Sequence, residues 1–424
     1  MSSNAIQTTA WRNRIFPAAW TLYAGYYMCR KDMGATSGSG SAHLAIALAC
    51  FGVAYAISQF VGGELADRFS ARNTALAGAA ISILCTILMA WASPQLDLAL
   101  QFGNGFGQGL GWPSLLKLIG GWFRRDERDC VLGWWSTSYI LGGFLASSLT
   151  AWLMTHTGIV AGTAFQPAYL VSSAVLLGTA LFFYYGTKGI PQPKPDDTDA
   201  TNLSSRKAQA GPWRSILADR TIRIVSAMYF FLKMTRYTLL FWLPHYLVSS
   251  IGYSTYAAAH TASCFEVFGF LGPIAVGYAV ERWFSEQRMG LGAGMLYALA
   301  FICLLHPLLA GSGWFGVVVS ISLMGFLIHG SDLLMSGMTV LHAVPGELQG
   351  RAVGFVNGIG SIGQTFSPLL ATLFVAHFGW TKLFDLFVFF ALVSGVICTF
   401  GARPQTRIPT RSNRSVLEPS DLPL

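Results

Sequence analysis

Five basic residues, Arg30, Lys31, Lys117, Lys233 and Arg236, fall inside long apolar runs, the first two within YYMCRKDMGAT at positions 26–36. A charged side chain at the centre of a bilayer costs about 2.5–3.5 kcal/mol on insertion scales. It persists where it faces a cavity or a partner. On a helix, Tyr23, Tyr27 and Arg30 stand at i, i+4 and i+7 and share one face. Lys31 is followed at once by Asp32 and also reads as a residue that snorkels to the interface. Glu266 and Asp332 are acids inside other apolar runs. A guanidinium group presents a planar fork of donors that suits the paired oxygens of an oxyanion. Such residues point to anion recognition inside a membrane.

The elements that must carry them are helices. Of 424 residues, 53% are hydrophobic and 11% charged, against about 25% charged in soluble domains. Windows of about 20 apolar residues, the length that spans a bilayer, occur at 15–34, 42–66, 74–93, 97–122, 130–155, 165–187, 221–248, 257–281, 290–309, 313–342, 350–377 and 380–402. These runs are continuous and do not alternate, which favours helices over barrel strands. The expected fold is an all-α membrane protein of twelve transmembrane helices in two pseudo-symmetric six-helix bundles. Residues 1–14 lack the basic, apolar and small-residue regions of a cleavable signal, so the first helix is expected to be retained.

The net charge of +8 is a topology signal rather than a nucleic-acid footprint. If the helices are numbered in order, 21 of the 27 Lys and Arg fall on the side that holds both termini, and only Lys382 on the other. The positive-inside rule then makes both termini cytoplasmic. Seven cysteines are scattered without CxxC pairing, which suits packing rather than a disulfide framework or a metal site. The segment between Gly186 and Trp213 is rich in Pro, Asp, Ser and Thr and reads as a flexible linker. The expected organisation is a cytoplasmic N-terminus 1–14, a bundle 15–187, a linker 188–220, a second bundle 221–402 and a cytoplasmic tail 403–424.

The halves echo each other. GGELADRFSAR at 62–72 and VGYAVERWFSEQR at 276–288 each place a glycine, an acid–arginine pair and a further arginine after the second helix of a half, as duplicated transporters do. GELADRFSAR resembles the loop signature GxLxDRxxxR of the major facilitator superfamily. In that signature a close helix approach and a charge cluster, here Asp67, Arg68 and Arg72, latch neighbouring helix ends in one state. YAGYYMCRK (23–31), GVAYAISQFVGGELADR (52–68), GQGLGWP (107–113), WSTSYILGG (135–143), RYTLLFWLPHYL (236–247) and GFLIHG (325–330) resemble the organophosphate:phosphate antiporters within it. The likeness runs over roughly residues 15–402.

The resemblance implies that Arg30 and Arg236, first helix of each half, bind a phosphoryl group on the pseudo-twofold axis, with Tyr23 and Tyr27 as donors and wall. It also implies that Glu266 pairs with basic residues when substrate is absent, and that Lys117 has a structural or gating role. The chain departs from the family at Gln59, where a lysine is usual, at Tyr139, where bacterial members have histidine, and at Phe241, where an aspartate is usual. It gains Lys233, one turn before Arg236, and Asp332. Lys233 either restores the charge lost at Gln59, with Asp332 taking an ion-pairing role, or pairs structurally with Asp332 or Glu266. His329 and Tyr229 are further polar residues that could line a cavity.

The function so implied is exchange of a small sugar phosphate or glycerol phosphate for inorganic phosphate by alternating access. The chain would act as a monomer in the lipid bilayer, without cofactor, metal or nucleic acid. Two alternatives stand beside it: a sugar-phosphate sensor of the same fold, and a proton-coupled carrier of another organic anion. An enzyme is not indicated, because nucleophile–base pairs and metal-ligand clusters are lacking. The glycines at 103, 105, 107, 109 and 111 lie in an apolar span with no preceding strand. They read as a close-packing stripe and not as a phosphate loop.

Overall fold

A computed structural model describes residues 3–31, 41–156, 166–191 and 211–402. Its first six long helical segments are α1 (Ser3–Lys31), α2 (Ser41–Leu65), α3 (Ala71–Met89), α4 (Pro94–Gly109 and Gly111–Trp122), α5 (Arg128–His156) and α6 (Gln166–Gly186). The second six are α7 (Arg220–Ser249), α8 (Thr255–Gly269 and Leu271–Ala279), α9 (Arg288–Gly311), α10 (Trp314–Leu333, extended through Ala343), α11 (Gln349–Phe378) and α12 (Leu383–Ala402). The chain is an all-α membrane protein of two six-helix bundles. Asp32 lies outside the described residues.

Helix starts are fixed locally. Ser70, Ser93, Asp219 and Ser254 accept backbone N–H bonds in the first turns of α3, α4, α7 and α8, satisfying donors that the helix itself cannot. Gly379, at φ 81°, ends α11 in the left-handed conformation that glycine adopts without steric cost. Two boundaries differ from the windows read in the sequence. α1 begins at Ser3, so most of the polar segment 1–14 continues the helix. Within the expected linker, Pro212–Ala218 forms a short helix against the bundle, with Ser215 and Ile216 buried.

By length and hydropathy alone, seven helical stretches among the described residues qualify as membrane spans, and they cover α2, α3, α6 and α8 to α12. The helices that fall short, α1, α4, α5 and α7, carry interior polar groups such as Arg30, Gln108, Tyr139 and Lys233, as α10 and α11 also do with Asp332 and Asn357.

The glycine stripe of α4 packs as its spacing implies. A Cβ on Gly105 would meet the Phe51 carbonyl oxygen of α2 at 2.4 Å, and one on Gly107 the Gly78 carbonyl oxygen of α3 at 2.7 Å. The two halves also repeat a local distortion. A π-helical turn ends α2 at Ala66–Ser70 and α8 at Val280–Phe284, the two stretches in which the sequence echoes itself.

Candidate functional site

The site is built where the halves meet. A cavity is lined on one side by Tyr23, Tyr27, Tyr55, Trp112 and Tyr139 of the first half. Across it stand Tyr229, Lys233, Arg236, Tyr237, Asp332 and Asn357 of the second half. One wall is aromatic and the other is charged.

Arg236, 8% exposed, reaches the cavity from α7 and donates from Nη1 to Asp332 Oδ2 at 2.7 Å. The other carboxylate oxygen accepts the Tyr229 hydroxyl at 2.7 Å. Asp332, 1% exposed, is thereby held on both oxygens, and it stands just before a π-helical turn, Leu334–Thr339, in α10. The Arg236 guanidinium lies 5.0 Å from the Tyr139 ring centre, a cation–π approach across the two halves.

Lys233 is 3% exposed and is held differently. Its ammonium donates to Asn357 Oδ1 at 3.3 Å and Ser361 Oγ at 3.1 Å, both on α11. The carboxylate of Asp332 is taken by Arg236, and among the described residues Lys233 forms no ion pair. Of the two sequence readings for Lys233, structural pairing with Asp332 or with Glu266 is not what the geometry shows.

Arg30 stands one layer behind the cavity. Its Nε donates to Gln108 Oε1 at 3.1 Å and its Nη1 to the Tyr27 hydroxyl at 3.2 Å. Its guanidinium carbon sits 4.6 Å from the ring centres of both Tyr27 and Tyr55. Nη2 is buried and has no hydrogen-bond partner. Gln108 is itself fixed, because its Nε2 donates to the Tyr26 carbonyl at 2.8 Å. Asn104, one turn earlier, donates to the Cys29 carbonyl at 2.9 Å. Polar residues of α4 thus hold the end of α1 and aim Arg30 at the two tyrosines that line the cavity.

Tyr23, Tyr27, Tyr139, Lys233, Arg236 and Asp332 therefore meet at one cavity, with Arg30 adjoining it. Gln59 does not line it; its amide is buried, with neither atom hydrogen-bonded. Glu266 is half-buried on α8, away from the lining. Phe241 is 48% exposed on the outer surface, so that substitution leaves the cavity untouched. The Lys31 side chain lies outside the described residues. His329 stacks behind Tyr139, and Tyr229 lines the cavity directly. Tyr55, Trp112, Tyr237, Asn104, Gln108, Asn357 and Ser361 went unread in the sequence. The pairs Asn104/Gln108 and Asn357/Ser361, polar at i, i+4 within apolar helices, carried a signal for four of them.

At the basic end of the bundle the halves are joined twice, in related ways. Asp67, at the end of α2, accepts the backbone N–H groups of Gly350 and Arg351 at the start of α11, each at 2.9 Å. It also accepts Lys117 Nζ at 2.5 Å. A carboxylate at a helix N-terminus satisfies donors that otherwise lack partners and meets the positive end of the dipole. On the opposite flank, Glu281 at the end of α8 accepts the Cys130 N–H at the start of α5 at 2.9 Å. Asp129 there also binds Arg288 at 2.7 Å and His342 at 3.2 Å. Arg351 chelates Glu64 at 2.6 and 2.8 Å, and Trp213 of the short helix donates to the same carboxylate at 2.9 Å. Arg68 is exposed, and Arg72 joins the start of α3 to the end of α6 through Thr187 and Tyr184.

Residues 15–341 and 296–421 match a family model described as Major Facilitator Superfamily. Among curated proteins, the chain is 25% identical over 416 residues to the "Membrane sensor protein UhpC" of Salmonella typhimurium, covering 91% of this chain and 90% of that one. It is 24% identical over 405 residues to the "Glycerol-3-phosphate transporter" of Bacillus subtilis, covering 89% of each. It is 26% identical over 383 residues to the "Glucose-6-phosphate exchanger SLC37A2" of Mus musculus, covering 80% and 75%. Among solved structures, the proton:xylose symporter XylE superposes with a TM-score of 0.76 at 13% identity, covering 93% of this chain and 97% of that one. That likeness concerns the fold.

Proposed function

We infer the function from one premise: the chain belongs to the Major Facilitator Superfamily. We propose that it is a carrier, not an enzyme, exchanging a small organophosphate, a sugar phosphate or glycerol phosphate, for inorganic phosphate by alternating access. The observation that carries this reading is the central cavity, lined by Lys233, Arg236 and one carboxylate, Asp332, with Arg30 behind its Tyr27 and Tyr55 wall. Cations held at half-depth without enough anions require an anionic ligand. The glycerol-3-phosphate transporter and the glucose-6-phosphate exchanger among the relatives support a phosphorylated one.

In this reading the phosphoryl group lies among Arg30, Lys233 and Arg236, and Tyr23, Tyr27 and Tyr139 supply hydroxyls and wall. Gln59 would join the lining in another conformation, and Glu266 and Lys31 would serve as ion-pair partners during the change. The basic end faces the cytoplasm, by the positive-inside rule. The latches of Asp67 and Asp129, with Lys117, Arg288 and Arg351, then close the cytoplasmic entrance. Ligand binding shifts the equilibrium only if it interacts differently with the two states. The uncompensated cations supply that difference, because the empty site is disfavoured in the occluded passage and exchange results. The protein is read as a monomer in the bilayer.

The similarity to a membrane sensor favours a second reading, a sugar-phosphate receptor with the same site. Asp332 on the cavity wall favours a third, proton-coupled uptake of another organic anion. Proteoliposomes loaded with phosphate separate the three. Counterflow of labelled phosphate, accelerated by sugar or glycerol phosphates on the trans side, is expected. Ligand binding without flux supports the receptor, and uptake that follows the pH gradient without trans-stimulation supports proton coupling.

A further inference from the structure

The four charged groups at the site are not equivalent. Arg236 is neutralised at 2.7 Å by Asp332, whose second oxygen is held by Tyr229. Lys233 rests on the neutral oxygens of Asn357 and Ser361. Arg30 rests on Gln108, Tyr27 and two aromatic faces, with Nη2 unpartnered. Tyr55 lies between these two, its ring centre 4.6 Å from the Arg30 guanidinium and 5.9 Å from the Lys233 ammonium. Among the described residues, one cation from each half is thus left without a carboxylate partner, and both border the same ring.

We propose that Asp332 sets the charge of the ligand. By cancelling Arg236 it leaves a net of two positive charges, from Arg30 and Lys233, and selects the dianionic phosphoryl group of singly phosphorylated metabolites over more highly charged anions. The proposal rests on the phosphoryl-binding reading above and names a specificity residue for it. A buried site discriminates by charge because an excess of either sign stays desolvated and unpaired. Asp332 serves as a fixed anion that the arriving ligand does not need to displace. Removing its charge would create a site suited to one more negative charge, and removing the Lys233 charge as well would restore the original count.

The test uses equilibrium binding to the purified full-length protein, with inorganic phosphate and the more highly charged inorganic pyrophosphate as probes. Binding does not depend on flux, so the outcome is independent of whether the chain is a carrier or a receptor. Asp332→Asn is expected to raise the preference for pyrophosphate over phosphate by about tenfold, and Lys233→Gln to weaken phosphate binding by about thirtyfold or more. The double variant Lys233→Gln/Asp332→Asn is expected to regain most of that loss, a rescue that a purely structural role for either residue would not produce. Asp332→Glu keeps the charge and is expected to retain the wild-type preference, which guards against a folding artefact. An unchanged pyrophosphate preference in Asp332→Asn, or a double variant no better than Lys233→Gln, would overturn the proposal. Failure of the unmodified protein to bind phosphate would instead overturn the phosphoryl-binding reading and this inference with it.

Discussion

At the scale of single residues, the chain shows how a membrane protein keeps charges in its interior. Arg30 and Lys233 are held by neutral groups, Gln108 and Tyr27 for the first and Asn357 and Ser361 for the second, whereas Arg236 is held by the Asp332 carboxylate. Gln108 is the example: it gives Arg30 an acceptor while its amide donates to the Tyr26 carbonyl near the end of α1. Gln108→Leu would leave Arg30 Nε without a partner and let the guanidinium wander on the tyrosine rings. Phosphate counterflow is expected to fall by about tenfold or more, with the protein still eluting as a single species. Arg30, Arg236 and the tyrosine face were legible in the sequence because charge in an apolar run is conspicuous. That Arg236 would be spent on Asp332 and Lys233 left unpaired was not legible. Residues 96 positions apart meet there, and helix periodicity says nothing about which of two neighbouring cations receives the carboxylate.

At the scale of helices, the decisive feature is the end-on contact between an acid closing one helix and the N-terminus of a helix from the other half. Asp67 serves α11 and Glu281 serves α5. The GELADRFSAR stretch marked the position of this latch, but its partners were hidden, since backbone N–H groups leave no trace in sequence. Asp67→Asn keeps the shape and removes the charge that Lys117 and the α11 terminus meet. It is expected to favour the conformer open at the basic end, seen as faster maleimide labelling of a cysteine placed at buried Ala352. Gly63→Val is expected to act in the same direction for a steric reason. A Cβ there would meet the Gly350 carbonyl oxygen at 2.4 Å, so α2 and α11 must part.

At the scale of the whole molecule, two six-helix bundles touch along α2–α11 and α5–α8, and transport by rocking requires both contacts at the basic end to open. The native Cys130 of α5 allows a direct check. A Cβ at Gly277 of α8 would lie 2.7 Å from the Asp129 carbonyl oxygen and 3.1 Å from the Cys130 Cα, too close for a side chain unless α5 and α8 part. Gly277→Val is expected to favour the conformer open at this seam, seen as faster maleimide labelling of Cys130, whereas unchanged labelling would refute rigid-body opening there. The sequence by itself determined the helical membrane class, the two-fold division of the chain and the presence of interior cations. All three follow from local composition and from a repeat along one strand of text. Only the tertiary structure decided which charges cancel, that Arg30 adjoins the cavity from behind Tyr27 and Tyr55, and that the basic end is closed. Those outcomes depend on distances between helices far apart in the chain, where an ångström determines whether an ion pair forms.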